Sequence, residues 1–379
     1  MDFDLSPEQG MIQETARRFA EQEIAPQARQ FDREETYPAR IVRRAAEVGL
    51  VGVVIPEQYG GPGLGFLEQA LITEQLCRVD LGIGQCIESA AFGSQIILFY
   101  GSEEQKQKYL PPLVTNQTVC AGAFTEPDAG TDVAAVRTRA VADGSEYVIT
   151  GNKMFITGGT ICDFMVVLCL TDPEAPSRHG RHSLILVESD RPGLQARKIK
   201  GKMGIRASDT AEISLDQVRV PRENLIGRPG RGFHQLMHFF DVTRTTVAAE
   251  AVGLAQGALD LALNYTRQRQ AFGRPLFENQ GLQFQLAEMA TRVEMSRNAC
   301  YKAAWLVDQG RPNPALNAMA KYYAAETAVW VCDKALQMHG GYGYIDEYDI
   351  QRFYRDAKIL EIYEGAKEAE KITIARRLG

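Results

Sequence analysis

The sequence predicts a mainly α-helical protein with a central β-barrel. A helical domain is expected over residues 1–118, a small antiparallel β-barrel domain over 119–229 and a four-helix bundle over 230–379. Three observations carry this expectation. Apolar residues recur at helical spacing through the first third of the chain. They alternate at strand spacing between Gly, Pro and Asp turns through the middle, then return to steps of three and four to the end. At 379 residues the chain is also too long for one hydrophobic core, so two or three domains are expected.

The first helix opens at Ser6-Pro7-Glu8-Gln9, which combines an N-cap serine, a proline at the first helical position and a capping-box glutamine. It is expected to run to about Phe31, with a second helix over 38–48 and a loop forced by Gly60-Gly61-Pro62-Gly63. Helices over 66–79 and 84–100 follow, and Ser102 with Gln105 caps another. Strands are expected over 137–141 and 147–156, joined at Asp143-Gly144 as a hairpin. Further strands fit 164–170, 183–187 and 211–220, the last with a shift of face between Leu215 and Val218. Several short strands between turn residues point to a small antiparallel barrel. From Phe233 onward two apolar stripes define long helices. One is Val247, Ala251, Leu254, Ala258, Leu261 and Tyr265; the other runs from Leu282 to Val307. Short Gly/Pro loops between such helices indicate an antiparallel bundle.

Composition narrows the function. The chain is 45% hydrophobic and 24% charged, as ordinary globular proteins are, and its formal net charge of −6 argues against nucleic acid as the main partner. No uninterrupted apolar run reaches the length of a membrane span, and the acidic start MDFDLSPEQ lacks the basic and apolar regions of a signal peptide. Seven scattered cysteines without a CxxC pair read as reduced core thiols, so a cytoplasmic protein is expected. There is neither a G-x-G-x-x-G after a strand nor a P-loop, which leaves a Rossmann dinucleotide site unsupported. His234 and His238 share a helical face, but without a third ligand they do not define a metal site.

The stretch over 337–365, QMHGGYGYIDEYDIQRFYRDAKILEIYEG, concentrates the chemistry. Gly340 and Gly341 read as a helix C-cap and tight loop, followed from about Asp346 by a charged helix that meets Glu364 just before Gly365. Ile362 and Tyr363 beside this carboxylate can desolvate it and raise its pKa, making it a usable base; alternatively it is a solvated residue at a helix end. The spacing of Gln337, Gly340, Gly341, Gly343, Tyr344, Glu347, Arg352 and Asp356, with the Ile362-Tyr363-Glu364-Gly365 run, resembles the C-terminal signature of the acyl-CoA dehydrogenases. The resemblance spans essentially the whole chain and implies the same order of helical domain, barrel and bundle.

Further segments carry the same resemblance. Phe124-Thr125-Glu126-Pro127-Asp128-Ala129-Gly130-Thr131-Asp132, otherwise a plain turn, is similar to the family's TEPxAGSD loop. It implies that Phe124 and Thr125 contact the flavin and that Thr131 lies at the flavin and thioester end. Lys153 to Gly159 is similar to the KxWITN segment, with Phe155 and Thr157 at the flavin-contacting places. The sequence RQRQAFG resembles an R-x-x-FG turn. It implies that Arg269 and Phe272 reach the FAD of a neighbouring subunit, with Gln337 and Gly341 at its adenine half. Some family members carry the base where Thr243 stands here; a hydroxyl cannot serve, so Glu364 is the expected catalytic residue.

The implied reaction is α,β-dehydrogenation of an acyl-CoA thioester to the trans-2-enoyl-CoA, with electrons passed to an electron-transferring flavoprotein by a homotetramer. Asp241, Arg244, Tyr363 and Gly365 are expected on the substrate side, and Glu88 where the acyl tail ends. Glu88 facing the cavity would favour a polar or ring-shaped acyl group. The chain departs from the family at Ala366-Lys367, where Thr-Ser is usual. Competing readings are a same-fold flavin oxidase or monooxygenase, and a binding protein without turnover.

Overall fold

The structure is a computed structural model that describes residues 4–378. Seven α-helices come first: α1 (Pro7–Phe19), α2 (Ala28–Glu34), α3 (Ala39–Glu47), α4 (Phe66–Val79), α5 (Leu81–Ser89), α6 (Ser94–Tyr100) and α7 (Glu103–Val114). The Ser6 and Ser102 capping boxes are both formed. The helix expected to reach Phe31 instead passes through one π-type turn at Ala20–Ile24 before α2 begins. The helix expected over 84–100 is two, because the chain turns at Ala90–Gly93.

The middle segment forms β1 (Cys120–Ala123), β2 (Arg139–Asp143), β3 (Glu146–Thr157), β4 (Phe164–Leu170), β5 (His182–Glu188), β6 (Leu194–Lys198), β7 (Thr210–Pro221) and β8 (Leu225–Ile226). The expected closed antiparallel barrel is not what forms. The eight strands make one open sheet in the order β6-β7-β3-β2-β4-β5-β8, with β1 pairing β4 off this path. The sheet is mixed, since β1 and β2 both run parallel to β4. Closure requires hydrogen bonds between the terminal strands, but β8 is only two residues long and β6 is largely exposed. The sheet nonetheless wraps one core, shared by Ala121, Ile149, Met165, Ile185, Ile213 and Val220 from five strands. Phe164, Val166 and Leu168 face the other way into the helical core, so β4 is buried on both faces and reads as an unbroken apolar run. The expected shift of face in β7 is a bulge: register slips between Ile149 and Gly151, and Gln217 adopts φ +53°.

The remainder is α8 (Gly232–Gln268), a small hairpin of β9 (Gln270–Ala271) and β10 (Arg274–Pro275), α9 (Gln280–Asp308), α10 (Pro314–His339), α11 (Ile350–Ala357) and α12 (Lys367–Ala375). Helices α8, α9 and α10 pack on one another, α11 and α12 both pack on α10, and α4 packs along α8 and α9. By length and composition α8 is apolar enough to cross a membrane, but 78% of its most apolar stretch is buried inside the fold, as a central core helix requires. All seven cysteines are buried and unpaired.

Candidate active site

The Arg352 and Asp356 side chains, spaced by one helical turn on α11, bolt the C-terminal segment to the rest of the molecule. Arg352 Nε is 2.8 Å from Asp80 Oδ2 at the start of α5, and Asp356 Oδ1 accepts from the Ile205 N–H at 2.6 Å. All three side chains are buried. Beyond α11 the chain tightens into a 3₁₀ turn at Lys358–Glu361 and delivers Glu364 in a left-handed conformation, φ +54°, followed by Gly365 at φ +105°. Only glycine takes the second value freely, and a glutamate at positive φ is held there by its surroundings. What holds it is Lys321 of α10. This ammonium is fully buried and donates to the Tyr363 carbonyl at 2.9 Å and the Gly365 carbonyl at 2.6 Å, one on each side of Glu364.

Glu364 is partly buried, and its Oε2 accepts a 2.7 Å hydrogen bond from the Thr243 hydroxyl on α8. Burial raises its pKa above the usual carboxylate value, while the Thr243 hydroxyl, Lys321 and Arg244 pull the other way. The result is a carboxylate in a dry setting, with one donor and two nearby cations keeping its ionised form accessible. Thr243 thus stands in direct contact with the carboxylate it was expected not to replace. Two more carboxylates lie within electrostatic reach. Glu250 of α8 accepts from the Tyr363 hydroxyl and is pushed up to about 8, first by burial. Glu88 of α5 accepts from the Gln69 amide at 2.6 Å and is pushed up to about 7, again first by burial and further by Glu364. Arg244 and Asp241 are paired with each other at 2.5 Å, and Arg244 also bonds Glu370 at 2.9 Å. Lys367, the departure next to the base, bonds Glu361 at 3.1 Å.

The two segments expected at a flavin meet. The Met154 N–H donates to the Thr125 carbonyl at 2.9 Å. The fully buried Lys153 ammonium joins the Phe124 carbonyl at 3.1 Å and Glu126 Oε1 at 2.9 Å. Glu126 in turn accepts the Arg137 and Thr138 N–H groups, which completes a rigid corner. Phe155 leaves this corner at φ +60° with 62% of its surface exposed, an aromatic ring presented outward from an otherwise ordered strand. Thr157 is half-buried two residues on, Phe124 is buried, and Thr131 lies exposed in its loop. At the far end of the bundle, Arg269 lies over the Tyr342 ring at 5.4 Å. Both residues line a cavity of about 490 Å³ with Gly340 and Gly341. A side chain at either glycine would meet open space. Phe272 sits at the hairpin tip, fully exposed at φ +55°, and Gln337 is exposed just before the C-cap. The two histidines part company: His238 Nδ1 is 2.8 Å from the Tyr100 hydroxyl, whereas His234 packs edge-on to His179.

Lys321, Glu250, Lys153 and Gln69 were not singled out from sequence. A signal was present for two of them. Glu250 interrupts the apolar run TVAAEAVGLA of α8, and Lys321 sits amid the alanines at 318, 320, 324 and 325 of α10. A charge inside such a stripe is either paired or functional.

Three family profiles match this chain in order: acyl-CoA dehydrogenase N-terminal domain over residues 6–117, middle domain over 121–218 and C-terminal domain over 230–379. The chain is 42% identical over 380 residues to acryloyl-CoA reductase (NADH) of Anaerotignum propionicum, covering all of this chain and 96% of the other. It superposes on butyryl-CoA dehydrogenase of Megasphaera elsdenii with TM-score 0.96 and 36% identity, covering 100% of both chains. A chain solved in work on the electron-transferring flavoprotein of Acidaminococcus fermentans gives TM-score 0.97 at 40% identity, covering 100% of this chain and 99% of the other. The chain therefore belongs to the acyl-CoA dehydrogenase family. It is an oxidoreductase and, as a member of that family, an FAD flavoprotein. The residues present fit such a cofactor: an outward aromatic at Phe155, hydroxyls at Thr125 and Thr157, and an open glycine cradle beside the Arg269 guanidinium.

Proposed function

We propose that the protein dehydrogenates an acyl-CoA thioester between its α- and β-carbons, with Glu364 as the base. The observation that carries this reading is the setting of Glu364. It is a carboxylate raised by burial, held at positive φ by Lys321 and touched by a single hydroxyl. FAD, when bound, supplies the two-electron acceptor, so the β-hydrogen leaves as hydride. Glu364 takes the α-proton, the α C–H pair becomes the new C=C bond, and the Glu364 backbone N–H stabilises the thioester oxygen as negative charge develops there. Phe124, Thr125, Thr131, Phe155 and Thr157 hold the flavin end, and Arg269, Phe272, Gln337 and Gly341 hold the far end of a partner subunit's FAD in a homotetramer. Tyr363, Gly365, Asp241, Arg244 and Thr131 shape the thioester side, and Glu88 lies at the end of the acyl tail. The electrons then pass to an electron-transferring flavoprotein. By microscopic reversibility the same residues serve the reverse reduction, with protonated Glu364 as the acid.

The test is anaerobic bleaching of the bound flavin by acyl-CoA. Glu364→Gln is expected to keep the flavin and lose bleaching by at least about a thousandfold, since the lost group is the only proton acceptor assigned. Unchanged bleaching in that variant refutes the assignment. Rapid peroxide production in air by the unaltered protein refutes the electron-transferring flavoprotein as acceptor.

A further inference from the structure

We propose that Gln69, Glu88 and Glu250 form a polar end wall of the acyl site, selecting a thioester whose acyl group carries a hydrogen-bond donor, hydroxyl or amine, towards its far end. This rests on the reading of Glu364 as the base. Gln69 on α4, Glu88 on α5 and Glu250 on α8 come from three different helices: Gln69 bonds Glu88, Glu250 bonds Tyr363, and both carboxyls lie within electrostatic reach of Glu364. Gln69 is 4% exposed, and its amide nitrogen is committed to Glu88 at 2.6 Å. The oxygen of the same amide is buried and has no hydrogen-bond partner among the described residues. Glu250 is 3% exposed and tied through the Tyr363 hydroxyl to the residue preceding Glu364.

A wall built for a plain alkyl tail has no use for these groups. Against methylenes the Gln69 oxygen stays unpaired and the carboxyls stay desolvated, which folded proteins otherwise avoid. A terminal carboxylate is disfavoured for the opposite reason, because it adds another negative charge to a site where Glu364 already raises Glu88, and Glu88 and Glu364 raise Glu250. A hydroxyl or ammonium group satisfies both conditions: it gives the Gln69 oxygen its missing donor and bonds Glu88 or Glu250 at the same time. Sites that pair a buried polar group with a substrate donor discriminate strongly against analogues lacking it.

The experiment uses the flavin-loaded protein and length-matched CoA thioesters of about four to six carbons, each unsubstituted, ω-hydroxy, ω-amino or ω-carboxy. The readout is the rate of anaerobic flavin bleaching, taken as kcat/KM. At one length the hydroxy or amino thioester is expected to exceed its unsubstituted partner by at least about tenfold, with the ω-carboxy compound slowest. A hydroxy preference identifies a neutral donor, and an amino preference identifies a cation. Gln69→Leu and the double variant Glu88→Leu/Glu250→Leu are expected to reverse the preference towards the unsubstituted chain. Equal rates, or preference for the unsubstituted or ω-carboxy thioester in the unaltered protein, overturn the end wall while leaving dehydrogenation intact. Bleaching by no thioester at all overturns the base assignment itself.

Discussion

Thr243→Val isolates the one hydrogen bond that Glu364 receives from a side chain among the described residues. The hydroxyl donates to Oε2 at 2.7 Å, so it favours the ionised carboxylate and holds the pKa below where burial alone would place it. Valine matches threonine in shape, leaves no cavity and keeps Lys321 and Arg244 in place. A hydrogen bond to a charged group contributes about 1.5–3 kcal/mol, which corresponds to about ten- to a hundredfold in the ionisation equilibrium. The sign follows directly. Without the donor, Glu364 is protonated up to a higher pH, and a protonated base cannot take the α-proton. In anaerobic rapid-mixing measurements of flavin bleaching, the acid limb is therefore expected to move upward. The variant should lose about ten- to a hundredfold in rate on that limb and converge with the unaltered enzyme on the alkaline plateau. Flavin content stays the same, and Thr243→Ser restores the original profile. An acid limb that stays fixed or moves downward, with the plateau rate intact, refutes the argument that Thr243 sets the base.

Three further perturbations read other parts of the molecule. Lys321→Met removes both donors that clamp the Tyr363 and Gly365 carbonyls, and a cation near Glu364. It is expected to lower kcat about a hundredfold through misplacement of the turn and to shift the pH profile upward, with FAD retained; a profile unchanged in shape would reduce Lys321 to a packing role. Lys153→Met breaks a buried pair while Glu126 keeps its two backbone donors. Denaturant unfolding of the flavin-free protein is expected to show a loss of about 3 kcal/mol. Glu188 is raised by burial, but the Tyr109 hydroxyl and Arg191 hold it at about 2. Its contribution, up to about 3 kcal/mol, is present above the ordinary carboxylate value and fades as pH falls from there towards 2. Glu188→Gln is therefore expected to flatten the stability curve across that acid window, measured by urea midpoints.

Much of this protein is legible in the chain because the relevant physics is local. Helix starts at Ser6 and Ser102, the stripes of α8 and α9, the Asp143-Gly144 turn and the unbroken apolar β4 each follow from residues within one or two turns of each other. The Phe124, Phe155, Arg269 and Glu364 segments are contiguous motifs, so each is visible in the sequence itself. Pairing between distant strands is not local. Nothing in β6 or β8 says that they end the sheet at opposite edges without pairing each other, so the sequence predicts a closed barrel where an open mixed sheet forms. Likewise Glu250, Gln69 and Lys321 read individually as stray polar residues on apolar helices. Only the packing of α4, α5, α8 and α10 around one turn turns them into neighbours of Glu364, because burial, and with it the shifted pKa values, is a property of what surrounds a group rather than of its place in the chain.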